Sequence, residues 1–298
     1  MKSTTDIYKP DFILIGAMKC ATSTLHEQLS LHDSFFMATP KEPSFFSDIE
    51  NYEKGSIWYQ SFFKKAGHGQ VKGESSTNYS KLPNYPETVN RIKSFCPEIK
   101  CIYLMRHPVD RLISHYIHEW SQGNISCDIN TAVRHHPELI EYGRYNMQLE
   151  PYISTFGFSA ILPLFTERLQ ITPRQELQAI FDFLEIPAKP EWCHDIQSNK
   201  SSERLKVCAW RDALVNDPTL RFFRRAFIPK SVRRKVRRIW TMTERPMLSN
   251  AVLRYVEQIF DEDLELLGRK VGVELNCRNF KQSVTSTTSS RSWITGRT

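Results

Sequence analysis

The sequence predicts an α/β protein, built on a central, mainly parallel sheet with helices covering both faces. Two observations lead there. Short, continuous apolar runs such as Phe12-Ile13-Leu14-Ile15 and Cys101-Ile102-Tyr103-Leu104-Met105 read as strands buried on both sides. Each run is followed, after a short loop, by apolar residues at helical spacing. Strands that alternate with helices in this way build parallel sheets, and ligands of such folds sit at the carboxyl ends of the strands.

The first unit is strand Phe12–Ile15, a loop opening at Gly16, and a helix with Ala21, Leu25 and Leu29 along one face. The second passes from Cys101–Met105 through Arg106-His107-Pro108 into a helix carrying Val109, Leu112, Ile113, Tyr116, Ile117 and Trp120. A strand is also predicted between Ala160 and Phe165, weakened by Pro163, which lacks a ladder donor. The next helix opens at Thr172-Pro173-Arg174-Gln175, where Thr172 is expected to cap, Pro173 to fill the first turn and Gln175 to reach back in a capping box. Leu177, Ile180, Phe181 and Leu184 form its apolar stripe, and a final helix near Asn250–Gly268 aligns Leu253, Val256, Phe260, Leu264 and Leu267. From Gln282 onward Ser and Thr dominate without periodicity. The domain plan is therefore a single domain over residues 1–280 followed by a disordered tail, 281–298.

A chain of 298 residues, 40% of them apolar, can bury roughly three quarters of its unfolded surface and needs no staples. Global disorder and a disulfide-rich mini-fold are excluded. No run of 18 apolar residues occurs and the first ten residues lack a secretory apolar core, so the expectation is a soluble, cytoplasmic protein. The seven Cys (20, 96, 101, 127, 193, 208 and 277) form no CxxC pair, the nine His form no HExxH, and no metal is expected. The net charge of +7 is local: Thr219–Arg245 holds ten basic residues and one acid, and the remainder has 30 basic and 32 acidic residues.

Two loops carry the chemistry. The first, Gly16-Ala17-Met18-Lys19-Cys20-Ala21-Thr22-Ser23-Thr24, combines the amides of a helix N-terminus with a lysine and three hydroxyls, a cradle suited to phosphate. It is not a Walker A loop, because Lys19 stands three residues before Thr22. Taken alone, the stretch reads equally as an ordinary loop ending in a threonine cap. The second loop, Arg106-His107-Pro108-Val109-Asp110-Arg111-Leu112-Ile113-Ser114-His115-Tyr116, follows the pattern RxPxxRxxSxY. Here a strand delivers an arginine where an ATPase would place a metal-binding aspartate, which suits a second, metal-free phosphate. Ser114 lies two turns into the helix, off its apolar stripe, as a further donor.

At these two loops the chain resembles the sulfotransferases that use 3'-phosphoadenosine 5'-phosphosulfate (PAPS). The run Lys19-Cys20-Ala21-Thr22-Ser23-Thr24-Leu25 is similar to their 5'-phosphosulfate loop, KxGTTxL, and the second loop to their 3'-phosphate motif. Similarity continues in Lys41-Glu42-Pro43-Ser44-Phe45-Phe46, in Trp58-Tyr59 near Lys54-Gly55, in Gly73-Glu74-Ser75-Ser76-Thr77-Asn78-Tyr79 and in Leu264-Glu265-Leu266-Leu267-Gly268. It spans about residues 10 to 275 and is nearest to the bacterial and glycan-modifying branch. The resemblance implies a P-loop-like three-layer fold, PAPS as sulfuryl donor with adenosine 3',5'-bisphosphate as product, and a hydroxyl or amine acceptor, on a carbohydrate or glycolipid.

The resemblance also implies residue roles. Lys19 and Glu42 are the catalytic pair, Lys19 for the leaving oxygen and Glu42 as general base. The donor is held by Lys19, Cys20, Ala21, Thr22, Ser23 and Thr24, by Arg106 and Ser114, and by Lys200 and Arg204 of a late polar loop, Ser198–Arg204. From the residues alone, Glu42 reads equally as the partner of Lys41 in a surface ion pair, and Glu74 is a second candidate base. His115 and His118 read as solvated residues on the polar side of their helix. Two positions depart from the family: Ala21 replaces a glycine, so positive φ is not expected there, and Ser75 stands where glycan-modifying members carry a lysine.

The arm Thr219–Arg245 interleaves Phe222, Phe223, Phe227, Ile228, Val232, Val236, Ile239 and Trp240 with its basic residues, a pattern fitting peripheral contact with an anionic membrane or an apolar face packed on the core. No nucleic acid partner is expected. Two competing readings remain: a nucleotide phosphotransferase, which predicts magnesium-dependent ATP binding, and a non-catalytic binder of anionic surfaces working through the arm, which predicts steep salt dependence.

Overall fold

The computed structural model describes residues 8–194, 242 and 244–286. Lys200, Arg204 and all of the basic arm except Met242, Glu244 and Arg245 lie outside the described residues. Five parallel strands form one sheet: β1 (Phe12–Gly16), β2 (Phe35–Met37), β3 (Val71–Ser75), β4 (Lys100–Met105) and β5 (Ile161–Phe165), in the order β2-β3-β1-β4-β5. The α/β expectation holds, with β1 at the centre.

The strand residues explain that placement. All five residues of β1 are buried, as are all but the first of β4, so both strands can only lie inside the sheet. Pro163 is accommodated because, among the described residues, β5 is an edge strand paired with β4 alone, so a missing ladder donor faces no second neighbour there. Gly73 in β3 is required by close approach: a Cβ there would stand 2.2 Å from the Phe12 ring.

The helices are α1 (Thr22–Ser30), α2 (Ile49–Glu53), α3 (Gly55–Ser61), α4 (Thr88–Phe95), α5 (Pro108–Gln122), α6 (Ile129–His135), α7 (Glu138–Glu141), α8 (Tyr145–Phe156), α9 (Thr166–Ile171), α10 (Pro173–Phe183), α11 (Asn250–Val271) and α12 (Phe280–Thr285). Helix α5 has Pro108 in its first turn and ends at Gly123 in the left-handed conformation, as a C-terminal glycine allows. Val256, Phe260, Leu264 and Leu267 are the buried stripe of α11.

Two expectations are corrected. Thr172 makes no side-chain cap to α10; its hydroxyl instead donates to the Arg168 carbonyl at 3.3 Å, closing the preceding helix. The segment expected to be disordered from residue 281 begins with α12, whose Phe280 and Val284 are buried, and Arg168 Nη1 donates to the Val284 carbonyl at 3.3 Å. Two apolar residues four apart suffice to dock one turn of helix, a signal too short to stand out in a Ser/Thr-rich stretch.

Replacing Gly73 by Ala should force β1 and β3 apart around the Phe12 ring. The expected cost is about 1–3 kcal/mol of stability, read as a lowered denaturant midpoint; an unchanged midpoint would contradict the packing described for β3.

Candidate active site

The site forms at the carboxyl ends of β3, β1 and β4, where the chain leaves the central strand in both directions. Three hydrogen bonds join these ends: Ala17 N–H donates to the Leu104 carbonyl at 2.8 Å, Ser76 N–H to the Leu14 carbonyl at 3.2 Å, and Glu42 N–H to the Ser75 carbonyl at 3.0 Å. The sheet thus brings the Lys19 loop, the Arg106 loop and the Glu42 loop together from distant parts of the chain. Parallel sheets gather ligand sites at such switch points.

In the first loop, Lys19 and Ala21 both adopt positive φ, 70° and 65°. This overturns the expectation for Ala21, which takes the left-handed conformation at the α1 N-cap without a glycine. A single L-residue tolerates that region at a cost of roughly 1–2 kcal/mol, and alternation of conformations along a loop turns successive amides to one side as an anion nest. The first helical bond of α1 runs from Leu25 N–H to the Ala21 carbonyl at 3.1 Å. The amides of Thr22, Ser23 and Thr24 therefore precede the helix ladder, and no side chain caps them. Ser23 is exposed, and Lys19 and Thr24 are half-buried.

Cys20 differs from its neighbours. Its amide donates to the Ala17 carbonyl at 3.2 Å, and its side chain is fully buried with Sγ 3.7 Å from the Tyr145 hydroxyl. Burial pushes its thiol up to about 12. Cys20 therefore shapes the loop from below and is removed from the set of residues facing an anion.

The second loop is clasped to the first by two residues that carried no sequence signal. The Tyr145 hydroxyl, at the start of α8, donates to the Arg106 carbonyl at 2.6 Å and accepts from the Arg106 amide at 3.2 Å. The Thr166 hydroxyl, directly after β5, bridges the Cys20 and Met105 carbonyls, both at 2.9 Å. Asp263 of α11 holds the start of α8 by accepting from the Asn146 amide at 2.8 Å and the Met147 amide at 3.0 Å. Tyr145 sits inside a helix with no local motif. Thr166 follows the last strand as the loop residues follow β1 and β4, a positional echo that sequence alone leaves mute.

Arg106 is half-buried, and its charge reaches Cys20 of the first loop. Ser114 is buried within α5. Arg111, the other arginine of the same motif, is fully buried; it donates to the Leu139 carbonyl and, from Nη1, to His115 Nδ1 at 3.5 Å, while its Nε has no partner. His115 corrects a sequence expectation, because it is buried, stacked on Tyr142 with ring centroids 5.5 Å apart, and 3.4 Å from Glu119. Burial lowers its pKa to about 4, so the ring is neutral and enclosed.

Glu42 occupies the loop after β2 with φ at 61°. One carboxylate oxygen pairs with Lys41 Nζ at 2.6 Å and the other accepts from Thr77 Oγ1 at 3.2 Å. The ion pair with Lys41 and a place at the site are therefore both realised. Glu74 is fully buried; Oε1 accepts from the Tyr59 and Tyr79 hydroxyls at 2.8 Å each, and Oε2 from Ser76 Oγ at 2.9 Å. Desolvation drives its pKa up to about 7 against the pull of these donors. Enclosed in this way, Glu74 does not meet solvent and is withdrawn as an alternative base. Ser75, in the place of a lysine, bonds His26 Nδ1 through its hydroxyl at 2.9 Å.

Comparison with known proteins follows this geometry. A family model described as "Sulfotransferase domain" matches residues 9–268. The chain is 30% identical over 184 residues to heparan sulfate glucosamine 3-O-sulfotransferase 3A1 of Mus musculus, covering 59% of this chain and 45% of that protein. It is 24% identical over 226 residues to bifunctional heparan sulfate N-deacetylase/N-sulfotransferase 2 of Mus musculus, covering 64% of this chain and 25% of that protein. The chain thus spans less than half the length of these relatives. A sulfotransferase from Alicyclobacillus acidocaldarius shares the fold with a TM-score of 0.54 and 24% identity, over 64% of this chain and 87% of that one.

Because Ala21 is held at positive φ, Ala21→Gly should keep the loop and raise stability by about 0.5–1 kcal/mol. Chemical denaturation would check this; a lowered midpoint would mean that the left-handed conformation is not the one populated.

Proposed function

The chain belongs to the sulfotransferase domain family, and from that premise we propose that it transfers a sulfuryl group from PAPS to a hydroxyl of a saccharide acceptor. The observation that carries the reading is the pairing of two anion-binding loops on adjacent strands, β1 and β4, with a carboxylate, Glu42, on the third loop beside them. The saccharide is favoured by the heparan sulfate enzymes among the relatives. A glycolipid carries the same hydroxyl chemistry.

The residues fit the donor. The amides of Thr22, Ser23 and Thr24 stand ahead of the helix ladder in a loop twice turned to positive φ, a cradle for a phosphate or sulfate oxygen. Arg106, fixed by Tyr145 on both sides of its backbone, supplies a positive charge for the 3'-phosphate, and Ser114 of α5 is assigned to the same phosphate on sequence resemblance. Lys200 and Arg204 are assigned to the same nucleotide on sequence resemblance.

PAPS, when bound, supplies a sulfuryl group whose bond to the 5'-phosphate breaks as a bond to the acceptor oxygen forms. Lys19 and the loop amides hold the negative charge that grows on the phosphate oxygen, the electrostatic role of an oxyanion hole. Glu42 takes the proton from the acceptor hydroxyl. Thr77 and Lys41 each hold one of its two carboxylate oxygens.

Lys19→Ala should lower turnover about 100- to 1000-fold, the range for loss of one such donor, with the fold retained by circular dichroism. Glu42→Gln should lower turnover with little change in nucleotide affinity. Calorimetry with adenosine 3',5'-bisphosphate, adenosine 5'-phosphate and magnesium ATP tests the donor directly: metal-independent preference for the bisphosphate is expected. Preference for magnesium ATP would favour a phosphotransferase, and absence of all three affinities would favour a binder working through the basic arm.

A further inference from the structure

We propose that Glu74 is the positioning residue that sets the Glu42 loop for proton transfer, through a relay of two hydroxyls that end on loop amides. The inference rests on the assignment of Glu42 as the base.

The relay runs from β3 to the loop without a gap. Glu74 is the last charged residue of β3 and is fully buried. While ionised, the Glu74 carboxylate can only accept, so the hydroxyls of Ser76 and Tyr79 point their protons at it. Their oxygens are thereby left facing outward as acceptors. Ser76 Oγ accepts from the Ser44 amide at 3.0 Å, and the Tyr79 hydroxyl from the Phe46 amide at 3.3 Å. A third bond, Glu42 N–H to the Ser75 carbonyl at 3.0 Å, comes from the same stretch of β3. The loop from Glu42 to Phe46 is thus bound at three amides, to Ser75, Ser76 and Tyr79 beyond Glu74.

The loop needs that restraint. Glu42 and Ser44 both sit at positive φ, 61° and 51°, a conformation that non-glycine residues disfavour and that persists only where surroundings over-determine it. The backbone is turned at Glu42 itself, so the same contacts that hold the loop aim the carboxylate. Tyr59 completes the coordination of Glu74 at 2.8 Å but contacts no amide of the loop. It provides an internal comparison.

The direction of donation also fixes the residue type. A glutamine at position 74 would present an amide donor to one of the hydroxyls that now donate to it. That hydroxyl would have to turn its proton away, toward the loop amide it now accepts from. The relay would then lose its sense without losing volume.

The test compares kcat, KM for the donor and bisphosphate affinity for Glu74→Gln, Ser76→Ala and Tyr79→Phe, alone and combined with Glu42→Gln. Each single change is expected to lower kcat by about 10- to 100-fold, the effect of a misplaced catalytic group, while bisphosphate affinity and donor KM stay within about two-fold of the parent. In the Glu42→Gln background the same changes should have almost no further effect, because they act through Glu42. Tyr59→Phe should lower kcat less than Ser76→Ala. Where Glu74→Gln fails to fold, the two hydroxyl variants carry the test.

Normal kcat in folded Ser76→Ala and Tyr79→Phe would overturn the proposal, as would losses that multiply with Glu42→Gln or a parallel loss of bisphosphate binding. A normal rate in Glu42→Gln alone would instead overturn the base assignment and the proposal with it.

Discussion

Parallel pairing of β1 with β3 on one side and β4 on the other is the constraint from which the site follows. Its register fixes Gly16 opposite Tyr103 and Leu14 opposite Ser75, so three strand ends stop at nearly the same height. The Lys19 and Arg106 loops then start from a common edge, and the Glu42 loop, which follows β2, is bonded to it at Ser75. Gly16 makes the arrangement sterically possible: at φ 149° its missing Cβ leaves room for the Ser80 hydroxyl, which donates to the Ile15 carbonyl at 2.8 Å. A side chain there would drive the single helical turn Thr77–Ser80, which follows β3, away from the end of β1.

The fold was legible in the sequence where burial was continuous. Phe12–Ile15 and Cys101–Met105 are apolar throughout because both of their faces are covered, and no other element satisfies such a run. The two site loops stood out because their charged and hydroxyl residues are concentrated in a few adjacent positions. Tyr145, Thr166 and the relay below Glu42 were not. Their partners lie far away in sequence, 39 residues for Tyr145 with Arg106 and 146 for Thr166 with Cys20, and a hydroxyl carries no periodic signature. His115 was misread for a related reason: helical spacing marks an apolar stripe but is silent about polar residues that a later helix covers.

The misread alanine carries a physical lesson. A glycine-poor loop was expected to avoid positive φ, yet Lys19 and Ala21 both adopt it. Local propensity is worth about a kilocalorie or two per residue, and the loop is gripped by Ala17 N–H to Leu104, by Thr166 on the Cys20 carbonyl and by Tyr145 against the Cys20 sulfur. Tertiary restraint outweighs propensity at such a place. The buried Arg111 belongs to the same economy of contacts: desolvation lowers its pKa, and it is held by one carbonyl and a neutral histidine rather than by a carboxylate.

The clasp made by Tyr145 and Thr166 also gives the site a length scale. Both residues touch the two loops at once, so the backbone gap between the Lys19 loop and Arg106 is tied to the β1–β4 spacing. For a ligand that spans both loops, as the proposed donor would, the distance between its charged groups then becomes a criterion of fit in its own right, separate from any contact with base or sugar.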